Sequence, residues 1–278
     1  MNKNSITERL RNKSKETGVN YPILQAFFFY EEFLKLLSQS SYKENFILKG
    51  GLLVSAMAGI TNRATMDIDF LMNGQPMEES ALEHIIQNII FTPDKTTLYF
   101  EFTKIEPIRD TDDYGGFRIH LCGRLSNIRQ PFYIDIATGD PVTPEAEQFE
   151  YQTLFNETIS IKSYPVETIL AEKIQTILVR ADANGRSKDF YDVYILMKLK
   201  SSKIRPEVFS QAVKKTFAYR KTKAFSKEES FHILDLIQND DGCNKRWTQY
   251  VNKNQYASGI QFQEALQVCR QLLEILYK

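Results

Sequence analysis

The 278-residue sequence lacks the features that mark several protein classes. No apolar run approaches the roughly 18 residues of a membrane-spanning helix. The opening stretch, MNKNSITERLRNKSKETG, is polar where a secretory leader has an apolar centre, so a cytoplasmic protein without membrane contact is expected. Three cysteines, Cys122, Cys243 and Cys269, are too few and too scattered for a disulfide frame or a zinc site. Free thiols in a reducing compartment are the expectation. The three histidines, His84, His120 and His232, have no cysteine or carboxylate at ligand spacing and read as structural or surface residues. No Ser–His–Asp order and no reactive-cysteine setting can be argued. Glycine and proline are sparse, at 12 and 9, which excludes collagen-like and low-complexity chains. An excess of one charge is also missing: 35 basic residues balance 35 acidic ones.

That balance conceals an uneven distribution. Residues 1–160 carry 15 Lys+Arg against 22 Asp+Glu, and residues 161–278 carry 20 against 13. An acidic part joined to a basic part suits a polyanion brought to a metal-binding acidic centre. Ordinary surface composition yields the same split.

Hydrophobic spacing predicts helices over 5–18 and 22–40, the second opened by Pro22. NFILKGG reads as a short buried strand ending in a glycine turn, LLVSAMAG as a helix and TMDIDFLM as an alternating strand. A helix over 77–91 follows Pro76, then three strands over 96–108, 116–125 and 131–139. From Pro165 the pattern is helical, over 165–181, 188–200, 205–217, 226–238 and 259–278. The expected architecture is an α/β (α+β) core with a mixed sheet over 1–160, followed by an all-α C-terminal domain over 161–278.

The run KGGLLVSAMAGITNRATMDIDF places two carboxylates, Asp67 and Asp69, among apolar neighbours. Residues two apart on a strand share a face, about 6.6 Å apart along the backbone. Asp67 and Asp69 are therefore expected on one side, with Met66, Ile68 and Phe70 in the core on the other. Buried carboxylates need a cation or donors, and converging ones suit Mg²⁺ in phosphoryl transfer. A bare Asp-x-Asp is common by chance; what strengthens this one is Gly50-Gly51, where backbone N–H groups and a helix N-terminus can approach a phosphate. Asp135, in FYIDIATG, is a third carboxylate that converges on the pair if its strand lies alongside.

Two helical features extend the pattern. Ile169, Lys173, Ile177 and Arg180 fall on one helical face. A lysine there either snorkels outward or reaches into a cleft to hold a phosphate. In RSKDFYDVYIL, Asp189 and Asp192 share a face; the helix dipole accounts for Asp189, but Asp192 needs a cation such as Lys173, Arg186 or Lys188.

In order, Gly50-Gly51, RATMDID, AEKIQTIL and RSKDFYD resemble the nucleotidyltransferase-like toxins of the AbiEii/AbiGii group, within the DNA-polymerase-β-like nucleotidyltransferase superfamily. The resemblance covers residues about 46 to 196. It implies Asp67 and Asp69 as Mg²⁺ ligands, with Mn²⁺ as the alternative ion and Asp135 as the least secure third ligand. It implies catalytic roles for Lys173, Asp189 and Asp192 in the active-site cleft. The nucleotide-binding set comprises Lys49, Gly50, Gly51, Arg63, Thr65, Lys173 and Arg186. One departure stands out: Leu52 follows Gly51 where the superfamily carries Ser or Thr, leaving Ser55, one turn on, as the candidate replacement.

The implied function is a toxin-like transferase of a toxin–antitoxin or abortive phage-infection system. It moves NMP from an NTP to an RNA acceptor, with the 3′ end of tRNA foremost and a cognate antitoxin as a possible partner. VKKTFAYRKTKAF interleaves Lys214, Lys215, Arg220, Lys221 and Lys223 with Phe217, Tyr219 and Phe225, a nucleic-acid-binding composition or else a solvated helix end. Lys245, Arg246 and Trp247 form a smaller group of that kind. Competing readings are the same site acting on a protein hydroxyl, a glycosyltransferase Asp-x-Asp, and a non-catalytic nucleic-acid-binding module.

Overall fold

Asn2 starts the first helix. In the computed structural model, which describes residues 2–93, 97–108 and 115–278, its side chain accepts from the Asn4 N–H and opens α1 (Lys3–Thr17). Gly18, at φ 73°, closes that helix in the left-handed conformation. Pro22 sits in the first turn of α2 (Tyr21–Gln39), where its missing N–H has no partner to lose. Phe27, Phe28, Phe29, Tyr30 and Phe33 of α2 are all at most 2% exposed. Such a helix must pack on more than one side. The Phe33 ring lies 6.2 Å from Phe100 and 6.4 Å from Phe132, both on strands and both edge-to-face. Each such ring contributes about 1.5–3 kcal/mol by leaving water.

The sheet receives these rings. Its strands are β1 (Phe46–Lys49), β2 (Ile68–Met72), β3 (Leu98–Ile108), β4 (Gly116–Leu125), β5 (Ile128–Thr138), β6 (Glu147–Gln152) and β7 (Thr158–Ser163). They run in the order β3-β4-β5-β2-β1-β7-β6. The β2–β5 and β1–β7 pairs are parallel and the remainder antiparallel, so the sheet is mixed. Between strands lie α3 (Gly50–Ala58) and α4 (Glu79–Ile89). Alternation sorts the side chains. Ile68, Phe70, Ile119, Ile134 and Ile136, none measurably exposed, belong to the core face, while Asp69, Arg118, Tyr133 and Asp135 belong to the opposite one.

These elements form one unit, Met1–Gly139 with Glu147–Ser163; a second comprises Asp140–Ala146 with Tyr164–Lys278. The second is helical: α5 (Val166–Arg180), α6 (Ser187–Lys200), α7 (Pro206–Tyr219), α8 (Lys227–Asn239), α9 (Asp241–Lys253) and α10 (Phe262–Leu276). Its core includes Trp247 stacked on Phe262 at 5.3 Å, with Phe190 edge-on to Phe262 at 5.2 Å. The Thr168 hydroxyl donates to the Thr143 carbonyl and accepts from the Thr143 N–H, tying Asp140–Ala146 to α5. Buried Glu167 accepts from the Arg205 guanidinium at 2.9 Å.

The expected fold class holds, with differences of detail. The strands β6 and β7 and the helix α9 have no counterpart in the sequence reading. In β6 and β7 only Tyr151, Ile159, Ile161 and Ser163 are buried, so their alternation is thin; α9 buries only Cys243 and Trp247. The third helix begins at Gly50, two residues ahead of expectation. The chain bends at Met66, so β2 starts only at Ile68 and Met66 is 50% exposed instead of core. Thr96, expected at the head of a strand, lies outside the described residues. All three cysteines are free and buried. Among the described residues, no helix is long and apolar enough to cross a membrane.

Candidate active site

Strand pairing sets the acidic centre. Asp69 stands opposite Lys49 across the β1–β2 ladder and beside Asp135 across the β2–β5 ladder. Asp67 lies just ahead of β2, two residues back. Burial pushes the Asp69 carboxyl above the usual carboxylate range. The charges of Asp67 and Asp135 push the same way, while Lys49 and the Gly51 N–H pull back. Desolvation is the largest of these effects, so an arriving cation would meet a carboxylate that water solvates poorly.

The glycine turn is fitted to this carboxylate. Gly50 has φ 62°, and a Cβ built on it would fall 2.1 Å from Oδ2 of Asp69. The Gly51 N–H donates to that same oxygen at 3.4 Å, at the first turn of α3. Asp69 therefore meets the positive end of a helix. A Cβ on Gly51 would press on the Thr65 hydroxyl at 2.6 Å. That hydroxyl accepts from the Asp67 N–H at 3.2 Å. Thr65 and Arg63, expected at the nucleotide, are buried beside the glycine turn, where a Cβ on Gly51 would lie 3.6 Å from Arg63 Nη2, and Arg63 donates to the Ala64 carbonyl. Leu52 is a core residue, and the Ser55 hydroxyl is enclosed without a hydrogen-bond partner, so Ser55 does not replace the missing hydroxyl.

Arg118, Tyr133 and Tyr30 complete the centre, and none was singled out from the sequence. The Arg118 Nε and Nη2 donate to Asp135 Oδ1 and Oδ2 at 2.8 and 2.7 Å. The Tyr133 hydroxyl donates to Asp67 Oδ1 at 2.9 Å. Burial, then the Asp67 charge, raises the Tyr133 pKa to about 12, so its proton stays in that bond. The Tyr30 hydroxyl donates to the Met66 carbonyl at 3.3 Å, steadying the bend before Asp67. His120, read as isolated, has its Nε2 at 2.8 Å from Glu106 Oε1, a partner supplied by strand pairing. Asp135 lies beside the acidic pair as expected, but both of its oxygens are engaged by Arg118.

The helical unit holds a second ionic cluster. Lys173 turns inward, its Nζ 2.7 Å from Asp189 Oδ1 and 2.9 Å from Asp192 Oδ2. Burial alone would lower the Lys173 pKa, but Asp192 and Asp189 outweigh it and hold the ammonium above the ordinary lysine value. Arg186 Nε lies 3.6 Å from Asp189 Oδ2 and its side chain is half exposed. The expected cation for Asp192 is therefore Lys173. The basic-aromatic stretches fare differently. Phe217 is buried and packs edge-on to Phe225, and Trp247 donates its indole N–H to the Ile260 carbonyl from within the core. Arg220 binds Gln175 and Thr176, and Lys223 binds Glu229. What remains displayed includes Lys214, Lys215, Lys221 and Lys245.

The part-exposed carboxylates of Asp67 and Asp69 provide hard oxygen donors, the set that suits Mg²⁺ or Mn²⁺. Among the described residues, no group of three or more His, Cys, Asp or Glu side chains is arranged to hold a metal by itself. That fits an ion held by one or two carboxylates together with substrate phosphates.

No curated protein matches the sequence. Two crystal structures share the fold. A candidate nucleotidyltransferase from H. pylori aligns with a TM-score of 0.55 at 12% identity, over 93% of this chain and 96% of that one. JHP933 from Helicobacter pylori aligns with a TM-score of 0.56 at 13% identity, over 93% of each chain. A family model for the nucleotidyl transferase AbiEii toxin of Type IV toxin–antitoxin systems matches residues 32–268, most of the chain, and the protein belongs to that family.

Proposed function

We propose that the protein transfers NMP from an NTP to a hydroxyl of RNA, most specifically at the 3′ end of tRNA, with Mg²⁺ at Asp67 and Asp69. Family membership makes it a toxin-type nucleotidyltransferase that uses an NTP and a divalent metal, and it implies an antitoxin partner. The observation that supports the cation and phosphate part of this reading is the placement of Asp69 against Gly50 and Gly51, where a carboxylate meets a helix N-terminus.

In the transfer, the acceptor hydroxyl releases its proton to solvent as its oxygen bonds to the α-phosphorus, the α–β anhydride bond breaks and pyrophosphate leaves with the electron pair. A divalent ion supplies charge neutralisation on the triphosphate oxygens. Asp67 and Asp69 would hold it, and the N-terminal turn of α3, packed directly against Asp69, would offer its positive end to a phosphate. For Lys173, whose Nζ is held by Asp189 and Asp192, we propose a phosphate contact only as the resemblance implies it. Exposed Lys214, Lys215, Lys221 and Lys245 support an RNA acceptor through phosphate contacts. A cytoplasmic location is part of the same proposal.

The test is incubation of the full chain with total tRNA, Mg²⁺ and each of the four labelled nucleoside triphosphates. Label is expected on RNA, sensitive to ribonuclease and lost in Asp67→Ala. Label that resists ribonuclease and migrates with protein moves the acceptor to a protein hydroxyl. No label with any nucleotide removes the RNA reading.

A further inference from the structure

Three carboxylates occupy neighbouring positions on this sheet face, yet they are not equivalent. Asp69 and Asp135 are adjacent across β2–β5, and Arg118 is the next position across β4–β5. Arg118 closes a two-pronged ion pair on Asp135, the strongest geometry available to a guanidinium. The same guanidinium carbon lies 4.0 Å above the Tyr133 ring centroid. Tyr133 in turn donates to Asp67 Oδ1 at 2.9 Å. A continuous chain therefore runs Asp135–Arg118–Tyr133–Asp67. Its links differ in kind. Arg118 cancels one full charge, whereas the neutral tyrosine hydroxyl leaves the Asp67 charge in place and fixes the plane of its carboxylate.

We propose that Arg118 and Tyr133 are positioning residues of the acidic centre: Arg118 holds Asp135 out of the cation site, and Tyr133, clamped beneath Arg118, orients Asp67 toward it. This rests on Asp67 and Asp69 being a cation site, as proposed above. The consequence is a cation site of two carboxylates, Asp67 and Asp69, with the third carboxylate serving as the anchor of the positioning chain. Conserving the ring but not the hydroxyl separates the two links: Tyr133→Phe keeps the guanidinium stack and removes only the bond to Asp67.

The experiment is Mn²⁺ uptake by the full chain in the presence of a non-hydrolysable NTP analogue, read from the loss of the free-ion electron paramagnetic resonance signal. Wild type is expected to bind, and Asp67→Asn and Asp69→Asn to lose uptake. Tyr133→Phe is expected to weaken the Mn²⁺ Kd by about 10-fold or more, the range of outer residues that orient ligands, and Asp135→Asn, which loosens the anchor but removes no ligand, to weaken it no more than Tyr133→Phe does. Nucleotide transfer by Tyr133→Phe should recover toward the wild-type kcat as metal is raised, which a merely structural defect would not allow. Arg118→Lys, which keeps the charge but loses the fork and the stack, should weaken uptake in the same direction as Tyr133→Phe. Should Asp135→Asn lose uptake as fully as Asp67→Asn, or Tyr133→Phe bind as wild type does, the positioning chain is refuted while the cation site stands. Wild type that takes up no Mn²⁺ with the analogue present refutes both.

Discussion

Gly50 and Asp69 touch so closely that no other residue fits between them: the position of a Cβ on Gly50 lies 2.1 Å from Oδ2 of Asp69, at a backbone φ of 62°. Two separate costs follow for any side chain there. The left-handed conformation costs about 1–2 kcal/mol for an L-residue, and the clash forces Asp69 or the start of α3 to move.

Gly50→Ala is therefore expected to lower stability in urea unfolding by roughly 1–3 kcal/mol. A shift of the acidic pair by about 1 Å should reduce nucleotide transfer on the order of 100-fold. Gly18→Ala is the control: its φ of 73° carries the same backbone cost, but nothing lies within 4 Å of its Cβ. It should lose comparable stability and keep transfer. Equal effects on transfer in the two variants would mean that the Gly50–Asp69 fit is irrelevant to the chemistry.

Lys173 supports α5 against α6 through two carboxylates that are at most 3% exposed. Removing one partner from a buried ionic cluster leaves uncompensated charge, at about 3–5 kcal/mol. Lys173→Met should show that loss in urea unfolding, and adding Asp189→Asn with Asp192→Asn should recover most of it. The sign with pH is fixed by the raised lysine pKa. The stabilisation is complete below the unfolded lysine value of about 10.4 and fades only as pH rises through the folded value, so the loss should be the same at pH 6 and pH 8.

Much of this was legible in the sequence because it depends on spacing along the chain. Asp67 and Asp69 sit ahead of a core-facing Ile68 and Phe70, and Lys173, Asp189 and Asp192 follow from helical periodicity. Arg118 and Tyr133 were not legible, since their roles arise only when β4 pairs with β5 in one particular register. A single sequence does not state which strands pair. The bend at Met66 was hidden for a related reason: the alternation continues through it, and the Tyr30 hydroxyl that steadies it comes from a helix far along the chain. Trp247 and Phe217 misled because an aromatic beside lysines has the same composition on a surface as at the edge of a core.

That last point separates two kinds of variant. Trp247→Ala should cost about 3–5 kcal/mol of stability, as large aromatic truncations in cores do, with RNA affinity of the folded protein unchanged. Lys214→Gln combined with Lys215→Gln should alter stability by less than about 0.5 kcal/mol, as exposed substitutions generally do. The pair should also lessen the salt dependence of RNA binding by roughly 0.7–0.9 per lysine removed. Filter binding across a salt series reads the second effect. An unchanged slope would exclude these lysines from the RNA surface.

Glu31 carries the clearest pH signature in the sheet unit. It lies on α2, is 3% exposed, and its carboxylate accepts from the Leu154 N–H at 2.9 and 3.0 Å and from the Tyr151 hydroxyl at 3.4 Å. Burial raises its pKa to about 8, against the opposing pull of the Leu154 N–H and Lys35, with Glu32 adding to the rise. The folded protein therefore holds a proton on Glu31 that the unfolded chain has lost above about pH 4.3. Stability from this group is complete below that value, declines as pH rises, and is gone once pH passes the folded value near 8. Glu31→Gln presents the same carbonyl-type acceptor with no charge to bury. Between pH 5 and pH 9 wild type should lose more stability in urea unfolding than Glu31→Gln, by on the order of 4 kcal/mol. Because every other titrating group is common to both proteins, the difference between the two pH profiles isolates Glu31, and parallel profiles would mean that its carboxyl titrates as it does in water.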